Sequence, residues 1–200
     1  IFNEKGKSIK NKKGELVCKN PFPSMPIKFW NDKKNKKFEN AYFNKFKNVW
    51  HHGDYAEVKN SGGYIIHGRS DATLNPGGVR LGTAEIYSEV EKFNQIKESI
   101  VVGQSWNNDI RIILFVILND NYKLNSDLIV KIKKQIKINA SPRHVPAKII
   151  AVRDIPRTKN GKIVELAVKN IIEGNKIKNK EALANPEVLK EYMNIKELND

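Results

Sequence analysis

Apolar side chains recur at helical spacing in two segments of the chain, and start or stop signals mark two further helices. In the first segment Ile86, Val90 and Phe93 follow one another at intervals of four and three residues, so they share one helix face. The first predicted helix is 83–94, with Thr83 as its N-cap. The second begins at the N-cap Ser126, and its buried side carries Leu128, Ile129, Ile132 and Ile136. The third is Glu165–Ile172, which ends before Gly174, and the last begins at Asn185-Pro186-Glu187.

Short apolar runs between these segments predict strands. The longest run, IILFVIL at 112–118, is far too short to cross a bilayer and fits a buried strand. Asn60-Ser61-Gly62-Gly63, between two such runs, predicts the turn of a hairpin. The predicted strands are 14–19, 55–59, 64–67, 99–103, 110–118 and 148–152.

The order of these elements predicts an α+β fold. We expect residues 1–70 to be the antiparallel β end of a larger domain and 71–172 to be a small α+β domain with a three-stranded sheet and flanking helices. Residues 173–200 are expected to form a C-terminal helical extension. The chain opens at Ile1 with a polar, charged stretch and no Met, so we expect it to be part of a longer protein.

The formal net charge of +14 is concentrated near the amino terminus, where residues 1–49 hold 13 lysines and four acids. A basic segment with interspersed aromatics, 31–50, is compatible with a small RNA-binding protein. Only six of the 36 basic residues are arginine, the side chain that makes bidentate contacts to bases and phosphates. A solvated, charged face is therefore the stronger interpretation, and nucleic acid is not expected as a partner.

The cysteine and histidine content argues against a metal site. Cys18 is the single cysteine, so neither an intrachain disulfide nor a thiolate cluster is expected. His51 and His52 stand beside Asp54, but no further His or Cys follows at ligand spacing. A reducing, cytoplasmic compartment fits this composition best.

The Gly-Asp pair at 53–54 has two interpretations. Such a pair after a strand is most often a turn. The alternative is that the Asp54 carboxylate accepts hydrogen bonds from a ribose diol, as acids do in dinucleotide folds.

The stretch GRSDATLNPGGVRLGTAEIY, 68–87, combines glycines with positive charge. Arg69 and Asp71 follow a predicted strand at the junction of the two predicted domains, where a few residues can absorb large backbone changes as a hinge. Asn75-Pro76-Gly77-Gly78 predicts a loop that brings bare backbone to a surface beside Arg80. A structural hairpin with a salt bridge is the alternative, but it does not require glycines and arginines at each of these positions.

The segment PRTKNGK, 156–162, predicts a mobile turn that presents one ammonium group. It is not a Walker loop, because Ile163 follows Lys162 and Pro156 occupies the place of the first glycine. A lysine delivered to a site where negative charge develops can stabilise a transition state. An ordinary surface turn with a solvated lysine is the alternative.

Taken together, HHGD, the 68–87 stretch and PRTKNGK resemble in order and spacing the closing motifs of the adenylate-forming superfamily of acyl-CoA synthetases, peptide-synthetase adenylation domains and luciferases. WHHGD, SDATLNPGGVRLGTAEIY and SPRHVP at 141–146 are most similar to one acid–CoA ligase branch. The resemblance implies an AMP-forming ligase that uses ATP with Mg²⁺ and CoA as substrates and holds no prosthetic group. Acetoacetate is the expected acid, with acetate or propionate as the alternative.

The same resemblance implies roles for individual residues. Asp54 and Arg69 bind the ATP or AMP nucleotide, and Asp71 is the hinge about which the small domain rotates between the two half-reactions. Gly78 and Arg80 lie on the loop that faces the site during thioester formation. Lys162 is the catalytic lysine, which contacts carboxylate and phosphate oxygens during adenylation.

The chain departs from the superfamily in two ways. Ala72 stands where many members carry a second acid after the hinge. The Ser/Thr/Gly-rich phosphate loop and the acyl pocket are expected upstream of Ile1, in an N-terminal domain of the same protein.

Overall fold

In a computed structural model, which describes residues 1–177 and 180–199, the chain forms two compact units. The first unit is Ile1–Asp71 and the second is Ala72–Asp200. The boundary between them therefore lies directly after Asp71.

The first unit is built on an antiparallel sheet of three strands, β1 (Gly14–Cys18), β2 (Trp50–Val58) and β3 (Tyr64–Arg69), in the order β1-β2-β3. β2 and β3 form the predicted hairpin, and Val58 pairs with Tyr64 across its turn. Gly62 has φ +88° in that turn, a conformation that glycine adopts without penalty. β2 begins earlier than predicted, so the Gly53-Asp54 pair lies inside a strand and the turn interpretation is wrong.

A helix that the sequence pattern did not predict lies in the lysine-rich segment of the first unit. α1 (Lys36–Tyr42) follows Asp32, whose carboxylate accepts hydrogen bonds from the backbone N–H groups of Lys37 (2.9 Å) and Phe38 (2.8 Å). Tyr42 stacks on Trp50 with ring centroids 3.7 Å apart, and Phe38 packs edge-on against Trp50. The aromatics that looked irregularly spaced therefore form a cluster around Trp50.

The second unit is built on a mixed sheet. β4 (Ile96–Trp106) and β5 (Asp109–Leu118) form an antiparallel hairpin, and β6 (Lys148–Ala151) pairs parallel to β5. The hairpin turn is Asn107-Asn108, with φ +48° and +62°. Asparagine tolerates this left-handed conformation, and two such residues give the turn that matches the twist of a hairpin.

Both faces of this sheet are buried, which explains the continuous apolar run of β5. On one face Leu114 and Val116 pack with Ile86 and Val90 of α2 (Ala84–Val90) and Ile132 of α3 (Ser126–Asn139). The other face carries a second cluster, made of Ile100, Val102, Ile113, Phe115, Val152, Ile155, Val168, Tyr192 and Leu198. From Ile112 to Val116, alternate side chains of β5 enter different clusters, so this part of the strand is apolar throughout.

The helix predictions differ from the structure mainly at their ends. α4 (Glu165–Ile172) has the predicted bounds, and Gly174 follows it with φ +71°. α2 is shorter than predicted, and Thr83 is buried and makes no capping hydrogen bond. The N-cap of α3 is Asn125 rather than Ser126, because the Asn125 side chain accepts the Leu128 N–H at 2.9 Å.

The carboxy-terminal segment packs against the sheet of the second unit. Its predicted last helix is the 3₁₀ helix Pro186–Tyr192, and shorter 3₁₀ turns lie at Lys180–Ala182 and Lys196–Leu198. Tyr192 is fully buried, 4.9 Å between ring centroids from Phe115. The described part of this segment therefore contributes directly to the core.

The predicted α+β class is confirmed, and so is the three-stranded sheet with flanking helices in the second unit. Among the residues that the structure describes, no helix is long and apolar enough to pass through a bilayer.

Candidate functional site

Three of the residues singled out in the sequence lie together at one end of the β2–β3 hairpin. Asp54 and Arg69 are register partners across the two strands. The Arg69 guanidinium lies 3.5 Å from the Asp54 carboxylate and 3.4 Å from that of Asp71, and it donates to the His52 carbonyl at 3.3 Å. The side chains of Arg69 and Asp71 are half exposed. The cation thus stands between two carboxylates and remains open to a ligand.

Gly53 makes room for the Arg69 guanidinium. Its φ is +85°, and a Cβ at this position would lie 2.7 Å from Arg69 Nη2. A side chain there would be strained in its backbone and would also displace the guanidinium. The glycine of the Gly-Asp pair is therefore explained by the arginine it faces.

Gly53, Arg69 and Asp71 border a cavity of about 670 Å³ in the first unit, and Asp54 is next to the lining residue Gly53 in the chain. The cavity lies between α1 and the ends of β2 and β3. Its lining residues are Asn40, Ala41, Tyr42, Asn44, Lys45, Trp50, His51, His52, Gly53, Arg69, Ser70 and Asp71. Two cations and an acid among polar amides can hold a ligand that carries both hydroxyl and anionic groups.

A buried carboxylate holds three of the residues that line this cavity. Glu15 on β1 is 1% exposed and accepts hydrogen bonds from Lys45 Nζ (2.5 Å) and Ser70 Oγ, with His51 Nε2 2.9 Å away. Because Ser70 directly precedes Asp71, Glu15 fixes the chain next to the predicted hinge. No local pattern indicates this role of Glu15, because the residue lies in an otherwise ordinary strand sequence.

The two adjacent histidines serve different carboxylates. His51 faces Glu15, whereas His52 Nδ1 is hydrogen-bonded to Asp54. Side chains of neighbouring strand residues point to opposite faces, so the pair does not converge. Within residues 1–177 and 180–199, no group of three His, Cys, Asp or Glu side chains is arranged to hold a metal ion.

In the second unit, the glycine loop is a short hairpin-like turn. Leu74 and Leu81 exchange backbone hydrogen bonds of 3.0 and 2.7 Å at its base, and Arg80 Nε donates to Thr73 Oγ1 at 3.1 Å. Gly77 and Gly78 are exposed, with φ +58° and +74°. The Gly77 N–H donates to both carboxylate oxygens of Asp109, at 2.9 and 3.0 Å.

Asp109 was not predicted as part of this loop. It opens β5 at the Asn107-Asn108 turn, more than 30 positions along the chain, and only the register of the β4–β5 hairpin brings it to the glycines. No local pattern in the sequence indicates this contact.

The predicted lysine turn is a closed hairpin. The Thr158 N–H donates to the Lys162 carbonyl and the Gly161 N–H to the Thr158 carbonyl, both at 2.8 Å, and the Lys162 N–H donates to Thr158 Oγ1 at 3.1 Å. Gly161 has φ +78°. The Lys162 side chain is exposed, and its ammonium has no hydrogen-bond or ion-pair partner among the described residues. The turn therefore presents the Lys162 ammonium on a hydrogen-bonded backbone.

The helix after this turn is tied to α2. The Tyr87 hydroxyl donates to Glu165, the first residue of α4, at 2.6 Å and accepts the Val101 N–H at 3.1 Å. Burial, followed by the nearby Glu165 charge, raises the pKa of Tyr87 well above its usual value. Tyr87 therefore stays a neutral donor at any ordinary pH.

Comparisons with known proteins agree with this geometry. No protein-family model matches the chain. The chain is 57% identical over 198 residues to acetoacetyl-coenzyme A synthetase of Rhizobium meliloti (strain 1021), covering 99% of this chain and 30% of that protein. It is 45% identical to acetoacetyl-CoA synthetase of Xenopus tropicalis, covering 98% of this chain and 30% of the relative. The chain thus spans about 30% of the length of the curated relatives it matches.

Solved structures give the same result. The whole chain superimposes on 30% of acetoacetyl-CoA synthetase from Streptomyces lividans with a TM-score of 0.91 and 38% identity. A benzoate CoA ligase from Burkholderia xenovorans LB400 matches 84% of this chain, over 32% of its own, with a TM-score of 0.70 and 25% identity.

The fold and the matching sequences correspond to the carboxy-terminal portion of adenylate-forming enzymes. Within the superfamily it is a homologue of the acetoacetyl-CoA synthetases. The resemblance inferred from its motifs is thereby confirmed. The roles of individual site residues, and the assignment of the two units to a large and a small domain, stay predictions.

Proposed function

We propose that this chain is the carboxy-terminal part of an ATP-dependent acid–CoA ligase that makes acetoacetyl-CoA. The observation that carries the proposal is the 57% identity to an acetoacetyl-coenzyme A synthetase along 99% of the chain. In the first half-reaction an acetoacetate oxygen attacks the α-phosphorus of ATP, and pyrophosphate leaves. In the second, the CoA thiol attacks the acyl carbon of the adenylate, AMP leaves and the thiol proton is released.

The first unit supplies part of the nucleotide site in this proposal. The Asp54 carboxylate accepts hydrogen bonds from the ribose hydroxyls, and Arg69 contacts the same nucleotide. These roles are supported by the half-exposed Arg69 guanidinium, which lines the cavity and stands 3.5 Å from the Asp54 carboxylate. A carboxylate fixed by its neighbours recognises a diol without having to reorganise when the ligand arrives.

Lys162 is the catalytic residue of the first half-reaction. Attack of a carboxylate on an α-phosphate joins two anions, so a cation gains most where their charge concentrates in the transition state. The exposed ammonium on a hydrogen-bonded turn supports this role. The turn was predicted to be mobile, and its closed hydrogen bonds favour mobility through the rotation expected at Asp71, in which the second unit moves and carries the turn with it.

The junction and the glycine loop serve the change between half-reactions. Asp71 is the proposed hinge, which the unit boundary directly after it supports. Gly78 and Arg80 belong to the loop that faces the site during thioester formation. The exposed glycine backbone there lets a ligand approach closely.

The proposed partners are ATP with Mg²⁺, CoA and a short keto acid, together with an N-terminal domain of the same protein. The relatives are about three times longer than this chain, which supports such a domain. A cytoplasmic location belongs to the same proposal.

The two alternative functions are a ligase for another short acid and an RNA-binding protein. Side chains that select the acid are expected outside this chain, so acetate or propionate would replace acetoacetate without changing the steps above. For RNA binding, the aromatics of the basic segment would have to stack on bases, but Phe38, Tyr42 and Phe43 pack against Trp50 instead.

The test is an assay of the longer protein with ATP, Mg²⁺, CoA and each acid in turn. We expect AMP, pyrophosphate and acetoacetyl-CoA in equal amounts, with the highest kcat/KM for acetoacetate. A higher kcat/KM for acetate or propionate would correct the acid. ADP as the product, or salt-sensitive binding of polynucleotide without any thioester, would overturn the proposal.

A further inference from the structure

The lysine turn is flanked by a piece of chain far from it in sequence. Residues 182–185 run antiparallel to residues 157–159, with an isolated bridge between Thr158 and Leu183. The Lys159 N–H donates to the Ala182 carbonyl at 3.2 Å, and the Ala184 N–H donates to the Arg157 carbonyl at 2.8 Å. The carboxy-terminal segment thus adds a short strand edge to the turn.

Asn185 completes this edge with its side chain. Its Oδ1 accepts the Arg157 N–H at 2.9 Å, and its Nδ2 donates to Asp154 Oδ2 at 2.8 Å and to the Ile155 carbonyl at 3.0 Å. Both polar atoms of the Asn185 side-chain amide therefore form hydrogen bonds to residues 154–157, which lead into the turn.

The Arg157 side chain forms hydrogen bonds to the turn and to the sheet. Its Nη1 donates to the Gly161 carbonyl at 3.1 Å, and its Nη2 is hydrogen-bonded to the Glu98 carboxylate on β4. The guanidinium thus connects the residue before Lys162 to the central sheet. A planar group with several fixed donors is suited to such a bridge.

The segment that provides the edge is anchored on either side of Asn185. Leu183 is buried with Ala167 and Leu189. The Tyr192 hydroxyl donates to the Asp154 carbonyl at 2.8 Å, and the Leu198 carbonyl accepts hydrogen bonds from Arg111 (2.6 Å) and Gln104 (3.3 Å). Because residues 182–185 are anchored in this way, they can hold residues 157–159, with which they pair.

We propose that the carboxy-terminal segment positions the catalytic lysine, with Asn185 and Arg157 as its positioning residues. The inference rests on the proposed function of Lys162. Because the ammonium has no partner among the described residues, its location follows from the backbone that carries it. Displacements of about 1 Å cost catalysis on the order of 10²-fold, so a loosened turn reduces adenylation even though Lys162 is intact.

The first test needs no activity. In the 200-residue chain, Asn185→Ala should make the amides of 158–162 exchange with deuterium roughly tenfold faster, while those of β4 and β5 keep their protection. Asn199→Ala is the matched control, because Asn199 is an exposed residue of the same segment. Unchanged exchange at 158–162 would overturn the proposal. If Asn185→Ala also loosens β4 and β5, Glu98→Gln replaces it, since this exposed partner of Arg157 can be changed without opening the core.

The second test separates the inference from the proposed function. In the longer protein, Asn185→Ala should lower adenylate formation about tenfold or more and leave thioester formation from supplied adenylate unchanged. The Asn185→Ala, Lys162→Ala double variant should be no slower than Lys162→Ala, because a turn without its lysine has nothing to position. Faster exchange with normal adenylation would overturn the positioning role alone. Normal adenylation by Lys162→Ala would instead overturn the proposed function.

Discussion

At the scale of single residues, the candidate site consists of charged groups and of buried residues that hold the neighbouring chain in place. Asp54, Arg69 and Asp71 stand out in the sequence by type and position, and the structure places the Asp54 and Asp71 carboxylates 3.5 and 3.4 Å from the Arg69 guanidinium. Glu15 and Asn185 do not stand out, because a buried carboxylate or amide is recognised only by its partners. Those partners lie up to 55 positions away in the chain.

Gly53 allows a direct test of the Arg69 geometry. We expect Gly53→Ala to destabilise the first unit by more than the 1–2 kcal/mol or so that a left-handed residue costs, because its Cβ also meets the guanidinium. Urea unfolding measures the change. Gly62→Ala is the control, since Gly62 has nearly the same φ and nothing within 4 Å of its Cβ. Equal losses for the two variants would contradict the close contact with Arg69.

Lys162 allows a test of the catalytic role. In the longer protein, Lys162→Ala should lower adenylate formation by on the order of 10²–10³-fold, because a charge aimed at the transition state is lost. Supplied adenylate should still transfer to CoA at the normal rate. Pyrophosphate exchange and single-turnover thioester formation measure the two steps, and Lys159→Ala in the same turn is the control. An equal loss in both half-reactions would argue against this role.

At the scale of elements, periodicity predicted the type of most helices and strands but not their ends. α4 and β5 were predicted almost to the residue, because a glycine or a continuous apolar run delimits them. α1 was missed because it is only seven residues long, and its two aromatics, Phe38 and Tyr42, are too few to mark a helical period. The β4–β5 turn was also missed, because Asn107-Asn108 lacks the glycine that usually marks such a turn.

The corrected N-cap of α3 can be checked by stability. We expect Asn125→Ala to destabilise the second unit by about 1 kcal/mol, because the Leu128 N–H loses its acceptor. Ser126→Ala should have little effect, since Ser126 is already the first helical residue. Urea unfolding of the two variants decides between these positions. A larger loss for Ser126→Ala would restore the N-cap predicted from the sequence.

Glu89 links α2 to α3 in a way that depends on pH. The Lys92 ammonium, with further hydrogen bonds from Gln135 and Asn139, holds the pKa of Glu89 below its ordinary value of 4.5. Its contribution to stability is therefore present above pH 4.5 and is lost as the pH falls through the lower folded value.

We expect Glu89→Gln to be less stable than the natural chain near neutral pH and equally stable in strong acid. Urea unfolding as a function of pH measures this difference. Glu91→Gln, at an exposed neighbouring position, is the control. A difference that persists unchanged in strong acid, well below the folded pKa of Glu89, would show that the carboxylate is not responsible.

At the scale of the whole molecule, the change in pattern near residue 71 anticipated where the chain divides. The two units meet in sequence at Asp71 and Ala72, where strand-rich sequence gives way to alternating helices and strands. The packing of the carboxy-terminal segment was less predictable, because Leu183, Leu189 and Tyr192 find their apolar partners on distant strands and helices. The pattern of apolar residues indicates that such side chains are buried, but it does not indicate which residues they pack against.

The proposed hinge can be tested by restricting its backbone. Proline fixes φ at about −65° and restricts the residue before it, so Asp71→Pro in the longer protein should trap one arrangement of the junction. One half-reaction should then survive at close to its normal rate while the other falls. Asp71→Ala is the control, because it removes the carboxylate near Arg69 but leaves the backbone free. A proline variant that runs both half-reactions as fast as the alanine variant would show that no rotation at this position is needed, and the second unit would then have to move about another point or not at all.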